Sequence, residues 1–99
     1  MTFNAQGIDQ ATLLKLYEDL LRPRMIEEKM LILLRQGRIS KWFSGIGQEA
    51  ISVGATHALL ADEYIFTMHR NLGVFTTRQL PLARLFAQWQ GKASGYTKG

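Results

Sequence analysis

The chain has 99 residues, 46% of them hydrophobic and 20% charged, with a formal net charge of +4 and no cysteine. A chain of this size buries about two-thirds of its surface, enough for one modest core, and the missing cysteines exclude disulfides, a thiol nucleophile and thiolate metal ligands. The basic residues, among them Arg22, Arg24, Lys29, Arg35, Arg38 and Lys41, alternate with apolar and acidic ones and form no dense run, which argues against a nucleic-acid reader and suits a phosphate-bearing ligand or an acidic partner.

In chain order, residues 1–8 form a short polar arm without the basic-then-apolar layout of a secretory signal. No stretch approaches the roughly 18 apolar residues of a membrane span, and the expected compartment is the cytoplasm. Asp9 is placed to cap a helix that carries Leu13, Leu16, Tyr17, Leu20 and Leu21 on one face. Pro23 interrupts the pattern, and Ile26, Met30, Leu33 and Leu34 resume it, so either one kinked helix or two successive helices satisfy the spacing. Glu27 and Glu28 near the second segment's start and Arg35 near its end complement the helix dipole, and Gly37 suits a left-handed C-cap.

Residues 38–46 are too short for a helix and too interrupted for a strand, and read as an ordered loop bearing Trp42 and Phe43, which either close the core from outside or line a pocket. A helix follows over residues 48–60, with Glu49 in its favourable first turn. Ala50, Gly54 and Ala58 recur every fourth position along it, a stripe expected to admit a neighbouring backbone. His57 lies in this helix with no other ligand at metal-binding spacing.

The run Tyr64-Ile-Phe-Thr-Met68 suits a buried extended segment and delivers His69 and Arg70 into a turn before Asn71-Leu-Gly-Val-Phe75. An arginine fork and an imidazole donor side by side at a helix start favour an anion; the competing arrangement is an arginine paired with a carboxylate and a core histidine. Pro81 opens a last helix with Leu82, Leu85, Phe86 and Trp89 on a core face, closed by Gly91. Residues 92–99 read as a Gly, Ser and Lys loop with no closing element, and the chain is expected to be truncated at its C-terminus or to be one piece of a larger one.

The ordered set Arg35-Gln-Gly-Arg-Ile39, Gly47-Gln-Glu-Ala50, His69-Arg-Asn-Leu-Gly73, Leu85-Phe-Ala-Gln-Trp89 and Gly95-Tyr-Thr-Lys-Gly99 resembles the N-terminal portion of the alpha subunit, or alpha half of a fused chain, of the thiamine-diphosphate-dependent decarboxylating component of 2-oxo acid dehydrogenase complexes. The resemblance runs from about Leu13 to Gly99. It implies a mostly α segment, residues 1–99, at the N-terminal end of an α/β thiamine-diphosphate-binding fold. It also implies an oxidoreductase activity, the oxidative decarboxylation of a 2-oxo acid with transfer of the acyl unit to a lipoyl group, in which the cofactor carries the hard step. These 99 residues alone are not expected to be active.

By the same resemblance, His69 and Arg70 match the aromatic-Arg pair that contacts the cofactor diphosphate, with His69 standing where the family usually has Tyr. The family's Mg2+ motif, Gly-Asp-Gly followed by Asn, would lie beyond Gly99, so no metal ligand falls within this segment. The implied partners are the beta subunit or beta half, the lipoyl-bearing acyltransferase and further copies in an oligomer; nucleic acid and membrane are not among them. Phe43 occupies a position that is typically His in pyruvate- and acetoin-type relatives and apolar in branched-chain ones. An apolar substrate wall there favours 3-methyl-2-oxobutanoate, with pyruvate as the alternative within the family and a stand-alone helical interaction module as the rival outside it.

Overall fold

A computed structural model describes residue 4 and residues 7–98; the polar arm expected over residues 1–8 falls largely outside the described residues. Among them, four helices and no strand are present: α1 (Gln10–Arg35), α2 (Glu49–Ala58), α3 (Leu72–Thr77) and α4 (Leu82–Trp89).

Of the two arrangements open to the first apolar pattern, one continuous helix is found, with Pro23 inside it. An interior proline forfeits a backbone hydrogen bond at about 3 kcal/mol. Burial of the Pro23 ring and of Ile26, Met30 and Leu33 on the same face offsets that loss. The face differs from the one the leucines suggest. Leu16 and Leu20 are half-buried, Leu13, Tyr17 and Leu21 are exposed, and the inward positions include the acidic Asp19 and Glu27.

The end of α1 is a complete Schellman motif: Arg38 N–H donates to the Leu33 carbonyl at 2.9 Å and Gly37 N–H to that of Leu34 at 3.0 Å. Gly37 takes φ +71° for this, as its sequence position foretold. The same closure ends α4 at Gly91, φ +68°. It also ends α3, where Gln79 is forced to φ 58°.

Helices α1, α2 and α3 pack on one another, and Ile26, Met30, Leu33, Ile39 and Leu72 form a core cluster against which Leu34, Trp42, Phe86 and Trp89 rest. Leu85 of α4 is buried, Phe86 and Trp89 rest against the core, and Leu82 is exposed. The small-residue stripe does not face a neighbour: Ala50, Gly54 and Ala58 are exposed, and Ser52, Val53 and Thr56 form the buried side of α2. Close approach occurs instead at Gly73, where a Cβ would stand 3.0 Å from both Ser52 and Val53 side-chain carbons.

Two polar ties fix α2 against α1. Buried Asp19 accepts from Lys15 Nζ at 2.8 Å and pairs with His57 Nε2 at 2.6 Å. Glu49 binds Arg24 Nε and accepts from the Gly47 amide at 2.8 Å. His57 is thus a structural partner of a carboxylate, a pairing that its own helix gave no sign of.

One expectation for the later chain is corrected. Residues 64–68 are neither paired nor buried: Tyr64 is 91% and Phe66 96% exposed, because no strand among the described residues offers a ladder for the segment. The region after Gly91 is held onto α4. Gln88 exchanges hydrogen bonds with the backbone and hydroxyl of Thr97, and the Arg84 guanidinium lies 4.2 Å over the Tyr96 ring.

Candidate functional site

Glu27 is an acidic residue on the inward face of α1, a location that costs free energy unless both carboxyl oxygens find donors. They do. Oε1 accepts the Gly45 amide at 2.7 Å and Oε2 accepts Trp42 Nε1–H at 2.6 Å, leaving Glu27 2% exposed. The loop over residues 40–46 is therefore held at two points, one on each side of Phe43. Trp42 is further fixed by an edge contact with Trp89, ring centroids 5.1 Å apart.

The loop then meets the turn that carries the two anion-binding candidates. Gly45 lies so close to the Arg70 carbonyl oxygen that a Cβ there would collide with it, and Phe43 stands edge-on to His69, centroids 4.7 Å apart. Lys41, Phe43, Met68, His69 and Phe75, with the two tryptophans, line one groove of about 310 Å³. Asn71 shapes the turn, its Oδ1 accepting the Met68 amide at 2.8 Å.

The sequence-level candidates thus come together. Phe43, 51% exposed, forms a wall of the groove. His69 is exposed, and its ring packs on Phe43. Arg70 is exposed, and its guanidinium has no hydrogen-bond or ion-pair partner among the described residues. The alternative of an arginine paired with a carboxylate and a histidine satisfied in the core is not what is found.

Arg78 supplies the contrast. Its guanidinium is spent on the backbone, donating to the Ala61 carbonyl at 3.0 Å and the Glu63 carbonyl at 2.9 Å. A guanidinium fork without a protein partner, on the residue next to an exposed imidazole, can hold a phosphate-type anion. Among the described residues, no group of three His, Cys, Asp or Glu side chains is placed to hold a metal ion.

Sequence reasoning missed Glu27 as part of this site, placing it only as a favourable helix-start charge. The available signal was its position one residue past Ile26 on the apolar stripe. A carboxylate there must face inward with Ile26 and Met30 and needs donors from another segment.

Sequence comparison adds an independent line. The profile of the Dehydrogenase E1 component family matches residues 18–99. The chain is 32% identical over 90 residues to a 3-methyl-2-oxobutanoate dehydrogenase subunit alpha of Mycobacterium tuberculosis, covering 91% of this chain and 24% of that protein. It is 30% identical over 92 residues to the mitochondrial 2-oxoisovalerate dehydrogenase subunit alpha 2 of Arabidopsis thaliana, covering 93% of this chain and 20% of the relative. With the mitochondrial 2-oxoisovalerate dehydrogenase subunit alpha of Homo sapiens it shares 34% identity over 86 residues, 87% of this chain and 19% of that protein. The chain thus spans about a fifth to a quarter of the length of these relatives. No solved structure matches it.

Proposed function

Given that the chain belongs to the Dehydrogenase E1 component family, we propose that it acts as the N-terminal part of the alpha subunit, or alpha half, of a thiamine-diphosphate-dependent 2-oxo acid dehydrogenase. The observation that carries the cofactor reading is Arg70, an exposed guanidinium without a protein anion among the described residues, on the residue that follows His69, which lines a groove together with Phe43.

Arg70 would hold the cofactor diphosphate through charge-assisted hydrogen bonds, and His69 would add a donor from its ring. When bound, thiamine diphosphate supplies the decarboxylating chemistry. This chain's residues contribute charge and an apolar wall. Mg2+ would be held by residues outside this segment. Phe43 would present an apolar surface to the substrate tail, which favours 3-methyl-2-oxobutanoate over pyruvate, in keeping with the branched-chain names of the relatives.

The partners in this reading are a beta subunit or half and a lipoyl-bearing acyltransferase within an oligomeric complex. The compartment proposed is the cytoplasm, where a cysteine-free chain is at no disadvantage. No helix among the described residues is long and apolar enough to cross a membrane.

The test is steady-state turnover of the assembled enzyme containing this chain on 3-methyl-2-oxobutanoate, with and without added thiamine diphosphate. Cofactor-dependent decarboxylation is the expected result. Turnover indifferent to the cofactor would refute the reading.

A further inference from the structure

We propose that Glu27 is a positioning residue that joins the two halves of the site, setting the Phe43 wall and the Arg70 cation as one unit. This rests on the cofactor reading of Arg70 given above. A half-exposed Phe43 would ordinarily be free to change rotamer or to swing with its loop. Here the loop is clamped on both flanks by a single carboxyl group, through Trp42 Nε1–H at 2.6 Å and the Gly45 amide at 2.7 Å.

The clamp reaches the other half by contact. Gly45, seated on Glu27, bears directly on the Arg70 carbonyl, with no room for a side chain between them. His69, the residue before Arg70, meets the Phe43 ring. Helix α1 therefore sets the spacing between the wall and the backbone that carries the cation, although Glu27 is itself buried beneath the loop and would touch neither substrate nor cofactor. Loosening the clamp should degrade cofactor affinity and substrate discrimination together.

Glu27→Gln is the first probe. Its amide oxygen can still accept the Gly45 N–H, but its NH2 faces the Trp42 N–H, donor against donor. Gly45→Ala is the second, since it leaves the Glu27 side chain intact and presses on Arg70 directly. In the assembled enzyme each variant is expected to weaken thiamine diphosphate binding about tenfold by calorimetry. Each is also expected to reduce the ratio of kcat/KM for 3-methyl-2-oxobutanoate over pyruvate at least threefold. Hydrogen exchange read by mass spectrometry should speed at the Gly45 amide in Glu27→Gln.

If Arg70→Ala leaves cofactor affinity unchanged, the cofactor reading itself fails. If Arg70→Ala weakens binding while folded Glu27→Gln and Gly45→Ala enzymes keep wild-type affinity and discrimination, the positioning role is overturned. Should Glu27→Gln not assemble, Gly45→Ala decides by the same two measurements.

Discussion

Phe43 and His69 lie 26 positions apart in the chain, yet their rings meet edge to face with centroids 4.7 Å apart. The contact exists where the loop bearing Phe43 is fastened to α1 and the turn bearing His69 abuts that loop at Gly45. A residue proposed to face the substrate and a residue proposed to bind the cofactor thereby share one wall.

Arg70→Ala should weaken thiamine diphosphate binding to the assembled enzyme by about 1.5–3 kcal/mol, the worth of hydrogen bonds to a charged group. Arg70→Lys should recover only part of it, because a point charge cannot reproduce a two-pronged fork. Calorimetric titration of both variants measures the difference, and equal affinities for the wild-type and Arg70→Ala enzymes would end the assignment.

Phe43→His should move substrate preference toward pyruvate. 3-Methyl-2-oxobutanoate carries two more carbons than pyruvate, and burying them against an apolar wall is worth about 1.5 kcal/mol, roughly tenfold in kcat/KM. Paired kinetics on the two substrates should register a loss of about that size. An unchanged ratio would mean that Phe43 does not face the substrate.

His57→Ala should destabilise the protein by about 1–3 kcal/mol, since it removes one partner of buried Asp19. Burial opposes ionisation of Asp19, but hydrogen bonds from Lys15 and His57 outweigh it and hold the carboxyl below its ordinary value of 3.8. A carboxyl with a depressed folded pKa contributes its full stability above 3.8 and loses it as the pH falls through the lowered value. Without His57 the depression shrinks, so the acid edge of stability should shift to higher pH. Denaturant melts of wild type and variant across pH 2 to 6, a span of about two units on either side of that value, would reveal the shift or its absence.

Gln79→Gly should stabilise the protein by about 0.5–1 kcal/mol. Gln79 occupies the left-handed position of the α3 closure at φ 58°, where a side chain costs roughly 1–2 kcal/mol, part of which glycine returns through the greater freedom of its unfolded chain. A denaturation midpoint at or below that of wild type would show that the strain is relieved elsewhere.

Local chemistry made much of this protein legible from its sequence. Apolar spacing and end signals located α1, α2 and α4, and α3 was marked by a helix start after Arg70. Gly37 and Gly91 marked two ends because a left-handed residue there needs no Cβ. The adjacency of His69 and Arg70, and the ordered motifs around them, identified the family without reference to packing.

Which face each helix buries was another matter. The apolar period of α1 admits several inward stripes, and the choice fell on one holding Asp19 and Glu27, because His57, Trp42 and Gly45 arrive from distant segments to satisfy those carboxyl groups. The same dependence on neighbours exposed Ala50, Gly54 and Ala58 and left residues 64–68 unpaired. Spacing along one element fixes what that element can bury, but hydrogen-bond partners and close contacts supplied from elsewhere in the chain decide what it does bury. For that reason Arg70 was readable as a candidate, whereas its freedom from any carboxylate among the described residues and the clamp beneath its turn exist only in three dimensions.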